Sequence, residues 1–132
     1  MGQEVEINGQ WPSLEGERLS ALLCYEMWHE GEVSEPAHTI FIQAHETWHR
    51  LYFDCGIIFW RLAESRPEEY GMPELGCDFK IVNIGEKYDL LNQELQSVGG
   101  KVLPGGAEVS FNFSGGKSIC FANENDHTTY RT

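Results

Sequence analysis

From residue 18 to residue 63 the chain is built largely of short runs with a two-residue period, separated by little more than turn-sized pieces. That period belongs to β-strands, whose successive side chains point to opposite faces, and it constrains the fold more than any other feature. In residues 18–28, Leu19, Ala21, Leu23, Tyr25 and Met27 form one set and Ser20, Leu22, Cys24, Glu26 and Trp28 the other. Both sets are largely apolar, which predicts a long central strand buried on both faces. Residues 39–44 are β-branched and aromatic. Residues 48–53 form a second run and 57–62 a third, after a turn at Asp54-Cys55-Gly56. Together they predict an antiparallel meander. A helix competes for part of this stretch: Ala37, Phe41, Ala44, Trp48, Leu51 and Cys55 share one helical stripe, with Ser34 as cap and Pro36 in the first turn. It would place Thr39, Ile40, Phe41 and Ile42 in succession, where χ1 freedom is lost against the preceding turn, so strands are favoured.

The remaining segments read less uniformly. Val5 and Ile7 suit a short edge strand ended by Asn8-Gly9, and Trp11-Pro12 then breaks pairing. Residues 31–36 form an acidic loop, and 64–76 a proline-punctuated loop with about one helical turn. Residues 77–84 alternate as a strand. Over 87–98, Tyr88, Leu91, Leu95 and Val98 make a helical stripe stopped by Gly99-Gly100. Val109, Phe111 and Phe113 alternate toward the turn Ser114-Gly115-Gly116-Lys117, and 118–122 return as a hairpin. Residues 123–132 read as a frayed polar tail. The expectation is an α+β fold: a predominantly antiparallel sheet of about six or seven strands, curled into a half-barrel or packed against one or two helices. At 132 residues it is expected to be one domain.

The net charge of −12 opposes binding to nucleic acid or to anionic membrane surfaces and favours a basic partner. The charge is uneven: residues 1–36 hold eight acids against Arg18, and 67–95 hold seven against Lys80 and Lys87. No apolar run reaches the ~20 residues that span a bilayer, and Met1 to Glu6 resembles neither a signal sequence nor an acylation site. Cys24, Cys55, Cys77 and Cys120 are far apart in sequence and set among apolar neighbours, which suits reduced thiols in a cytoplasmic protein.

One motif carries a specific chemistry. His45-Glu46-Thr47-Trp48-His49 spells H-E-x-x-H. On a helix, His45 and His49 share a face and can ligate zinc, with Glu46 as general base for a metal-bound water. In these five residues the chain resembles the zincin metallopeptidases. The resemblance implies a third ligand: Glu68 and Glu69 sit at the gluzincin distance, whereas the metzincin pattern fails at Tyr52 and Cys55. On a hairpin, the same letters flank a turn: with a two-residue loop the histidines point to opposite faces, and with a three-residue loop they could face each other across the hairpin.

His29 and His38 flank the acidic loop and could approach the motif histidines, and Trp28, Trp48, Phe53, Phe59 and Trp60 could surround a pocket or simply fill a core. No nucleophile elbow, phosphate loop or dinucleotide fingerprint is present. Two functions follow as expectations. The first is a binding module without a cofactor, for a cationic protein partner or a small apolar ligand. The second is a zinc-dependent hydrolase. A homodimer through an exposed edge, at Val5 and Ile7 or at the C-terminal hairpin, is also compatible with this reading.

Overall fold

The computed structural model describes residues 5–132, so the readings made on Met1 to Glu4 lie outside the described residues. The chain forms β1 (Ile7–Asn8), β2 (Leu19–His29), β3 (Glu32–Ala44), β4 (Thr47–Asp54), β5 (Ile57–Ala63), β6 (Tyr70–Met72), β7 (Cys77–Asn83), a helical turn α1 (Ile84–Lys87), β8 (Leu95–Leu103), β9 (Gly106–Phe113), β10 (Ser118–Glu124) and β11 (His127–Arg131). One sheet has seven strands in the order β1-β5-β4-β3-β2-β7-β6, and the other has four in the order β11-β10-β9-β8. Every pairing is antiparallel except β1 with β5, which is parallel.

The α+β expectation is corrected here. Strands occupy 64% of the chain and helix 5%, so the architecture is two packed sheets with no helical layer. The helix expected over 87–98 does not form. Asp89 and Asn92 adopt positive φ (56° and 67°), which a right-handed helix forbids. The chain is instead tied across to β2 and the segment before it, through Asn92 N–H to Leu19 O and Leu95 N–H to Glu17 O. The stripe that imitated a helix is divided: Leu95 is buried as the first residue of β8, and Gly99-Gly100 lie within that strand. Gly100 leaves room there for the Trp11 and Val5 side chains, which pack 2.8 Å from where a Cβ would sit. The tail read as frayed forms β11 and pairs with β10 from Glu124↔His127 to Cys120↔Arg131.

The main core lies between the sheets. Leu22, Cys24, Ile40, Ile42, Leu51, Ile58 and Trp60 face Val109, Phe111, Phe113, Ile119 and Phe121. The opposite face of the larger sheet holds a smaller cluster of Ala21, Leu23, Phe41 and Trp48. This explains why both residue sets of β2 are apolar. The outer cluster is roofed in part by residues 64–69, which must cross the outer face because β5 and β6 lie on opposite sides of the sheet. Tyr25 on that face donates its hydroxyl to Glu68 O at 2.7 Å. Among the described residues no helix is long and apolar enough to cross a membrane.

Candidate functional site

The H-E-x-x-H residues lie on a hairpin. Ala44 pairs with Thr47, leaving His45-Glu46 as a two-residue turn with φ of 51° and 63°. The helix that would set both histidines on one face is therefore absent. His45 is 84% exposed and lies 3.5 Å from Glu17. His49 is buried on the inner face, and its Nδ1 accepts the Trp60 indole N–H at 3.0 Å. Burial pulls the pKa of His49 below its ordinary value, which keeps the ring neutral and able to accept. Glu69 accepts the Ile81 backbone N–H through its carboxylate at 2.7 Å, standing in for a strand partner at β7, while Glu68 contributes its backbone oxygen to Tyr25. The structure thus gives the proposed ligands His45, His49, Glu68 and Glu69 separate partners, and it leaves Glu46 at a solvent-exposed turn. Among the described residues no group of three His, Cys, Asp or Glu side chains is placed to hold a metal.

The other sequence candidates are also dispersed. His29 ends β2, and His38 lies against Phe79 with ring centroids 5.1 Å apart. Trp60 and Trp48 are buried, one in each core. Trp28 lies under Lys80 at 4.4 Å, and Phe59 stacks on Tyr52 at 4.9 Å. All four cysteines are free thiols, Cys24 and Cys120 buried, Cys55 exposed.

The most developed concavity arises where the larger sheet splits. The β3–β4 ladder runs from Ala44↔Thr47 to Ile40↔Leu51 and stops, although β4 continues to Asp54 and β3 begins at Glu32. An irregularity between Tyr25↔Thr39 and Met27↔Glu35 absorbs two extra residues of β3, which swings away from β4. The β10–β11 hairpin fastens on this diverging part. Glu35 accepts the Thr128 backbone N–H and lies 3.2 Å from His127 Nδ1. The result is a cleft of about 570 Å³, lined on one side by Arg50, Tyr52, Phe53 and Asp54 and on the other by Glu35, His38 and Thr39, with Asn123, Asp126 and Thr128 contributed by the hairpin. Tyr25, Phe41 and Tyr70 complete its aromatic wall. Its volume falls in the ~300–1,000 Å³ range of small-ligand pockets.

The cleft is electrically polarised. Arg50, Tyr52 and Asp54 point to the same face of β4, and four residue steps along the strand carry Arg50 to Asp54 over roughly 13 Å. At the far end, the Cys55 thiol is held above its usual pKa, first by the hydrogen bond that the Asp54 carboxylate accepts from it and then by the charges of Asp54 and, more weakly, Asp126. Near the ladder end, the Arg50 guanidinium lies 5.6 Å from the Tyr52 ring and forms no ion pair with a described residue. Its direct cross-strand neighbour on β5 is Arg61, which is turned to Asn8 by hydrogen bonds of 2.5 and 2.6 Å.

Sequence reasoning missed this site because it depends on a ladder that ends early. The only local signal was Pro36, which cannot donate to a ladder and marks the divergence of β3. Comparison of the chain with protein-family models, with curated proteins and with solved structures gives no match.

Proposed function

We propose that the chain is a binding module for a cationic protein, which seats a basic side chain at the carboxylate end of the split cleft. The observation that carries this reading is the cleft itself: Glu35, Asp54 and Asp126 stand against one guanidinium, beside walls of tyrosine and phenylalanine. Aromatic faces and carboxylates together suit an ammonium or guanidinium group. A wholly apolar ligand fits less well, since it would desolvate these charges without pairing them.

The wider surface supports the same class of partner. The β2–β7 ladder sets Trp28 opposite Asp78 and His29 opposite Cys77, and Glu30 N–H donates to Gly76 O. Parts of the two acidic blocks of the sequence, Glu30 and Glu32 from one and Glu74 and Asp78 from the other, are thereby drawn to one end of the sheet. Such a field steers a basic partner and weakens with salt.

The test is fluorescence anisotropy of a labelled oligolysine peptide titrated with the full chain at low and high salt. The expected result is saturable binding that salt weakens and that the Asp54→Asn/Asp126→Asn double substitution reduces. Absence of binding at low salt would overturn the proposal.

A further inference from the structure

The split between β3 and β4 is blind at one end. The strands are hydrogen-bonded again at Ile40↔Leu51, so an extended segment lying between them cannot continue past that pair. A chain that enters from the open end, beside Asp54 and Asp126, must therefore terminate near Arg50. Among the described residues Arg50 is the one cationic side chain lining the cleft apart from the imidazole of His38, and it is exposed, free of hydrogen bonds and unmatched by a carboxylate there. A guanidinium in that position pairs with a carboxylate in a forked geometry and repels an amino terminus. The unpaired strand edges beside it supply backbone groups to an added strand.

We infer that the cleft receives the C-terminal end of an extended peptide, its terminal carboxylate on Arg50 and a lysine or arginine about four residues upstream at Asp54 and Asp126. The spacing follows from the strand: four residues of β4 and four of an extended ligand both cover roughly 13 Å. The ligand runs antiparallel to β4 and parallel to β3. This inference rests on the cationic partner proposed above and adds which part of it enters the cleft.

The probe is an acetylated peptide of one lysine followed by four alanines, titrated into the full chain as the free acid and as the C-terminal amide, with binding followed by amide chemical shifts. The free acid is expected to bind at least about tenfold more tightly, with shifts centred on Tyr52, Asp54 and Asp126. Arg50→Gln is expected to erase the difference between acid and amide. Its fold should persist, because Arg50 is exposed and opposes Arg61. Equal binding of acid and amide, or an unchanged ratio in Arg50→Gln, overturns the inference. An amidated peptide ending in glutamate that binds as well as the free acid also overturns it, in favour of a side-chain carboxylate. If oligolysine amide binds in a salt-dependent way while acid and amide do not differ, the cationic partner stands and only the terminal-carboxylate assignment falls. If no cationic peptide binds, both fall.

Discussion

Replacing His45-Glu46 by Asn-Gly should stabilise the protein by about 1 kcal/mol, although it removes two of the three residues that define the most conspicuous motif in the sequence. Among the described residues four tight turns place two consecutive residues at positive φ: Glu30-Gly31 (50° and 84°), His45-Glu46 (51° and 63°), Cys55-Gly56 (51° and 76°) and Asn125-Asp126 (54° and 61°). Three of them use Gly, Asn or Asp, the residues that tolerate this conformation. His45-Glu46 uses none. Each ordinary L-residue held there costs about 1–2 kcal/mol. Asn relieves part of that cost and Gly removes it, while the added freedom of Gly in the unfolded chain returns about 0.4–1 kcal/mol. The lost His45–Glu17 pair subtracts little, because His45 is 84% exposed and surface pairs have a median contribution of about 0–1 kcal/mol. A net gain of about 1 kcal/mol corresponds to a rise of about 3–5 °C in Tm for a chain of this size. Urea denaturation should show a higher midpoint with an unchanged slope. A variant equal to or less stable than the parent refutes the turn argument. A chain that owed stability to a metal on His45 and His49 would move in that opposite direction.

Other consequences are as direct. Gly106→Ala should cost at least about 3 kcal/mol or prevent folding, measured by the same denaturation, because its Cβ would lie 1.8 Å from the Asn123 carbonyl oxygen. Stability should fall as pH drops below about 6.5. Burial lowers the folded-state pKa of His49, and of His38 against the opposing pull of Glu35, so the unfolded chain binds more protons in that window. His49→Phe should flatten this dependence between neutral pH and the folded-state pKa, and an unchanged slope would count against it. Timed alkylation of the native protein should label exposed Cys55 and leave Cys24 intact until unfolding. Cys24 is buried and its pKa is pushed up to about 12 by desolvation, ahead of the field of Glu26.

The strands of the first half were legible because their pattern is local. The period-two runs over 18–28 and 39–63 correspond to β2 through β5, and the turn at residues 54–56 falls where Cys55-Gly56 connects β4 to β5. The C-terminal hairpin was legible for the same reason. The fold class was not, because Tyr88, Leu91, Leu95 and Val98 carry a helical spacing that only tertiary bonds from Asn92 and Leu95 to the β2 region override. Strand β11 looked like a polar tail because just two of its five residues face inward, Thr128 and Tyr130, and one of these is polar. The H-E-x-x-H letters were visible, but their meaning depended on whether residues 45 and 46 continued a helix or reversed the chain. Apart from Pro36, the cleft left no sign in the sequence, since it is made by a contact between residues 35 and 128 and by the end of a ladder, neither of which leaves a periodic trace.

The fastening of the β10–β11 hairpin onto β3 has a consequence for timing. Glu35 and Thr128 are 93 residues apart, while β2 through β5 are joined by two-residue turns. Hairpins of that kind close in about 1–10 μs, whereas long-range pairing must first overcome loop-closure entropy, and β-rich topologies fold in about milliseconds to seconds. The central meander can therefore form early, yet the chain lacks the far wall of the cleft until the β10–β11 hairpin has docked onto β3. Under the proposed function, a chain in which this hairpin has not docked lacks Asn123, Asp126 and Thr128, and with them part of the seat for a basic side chain.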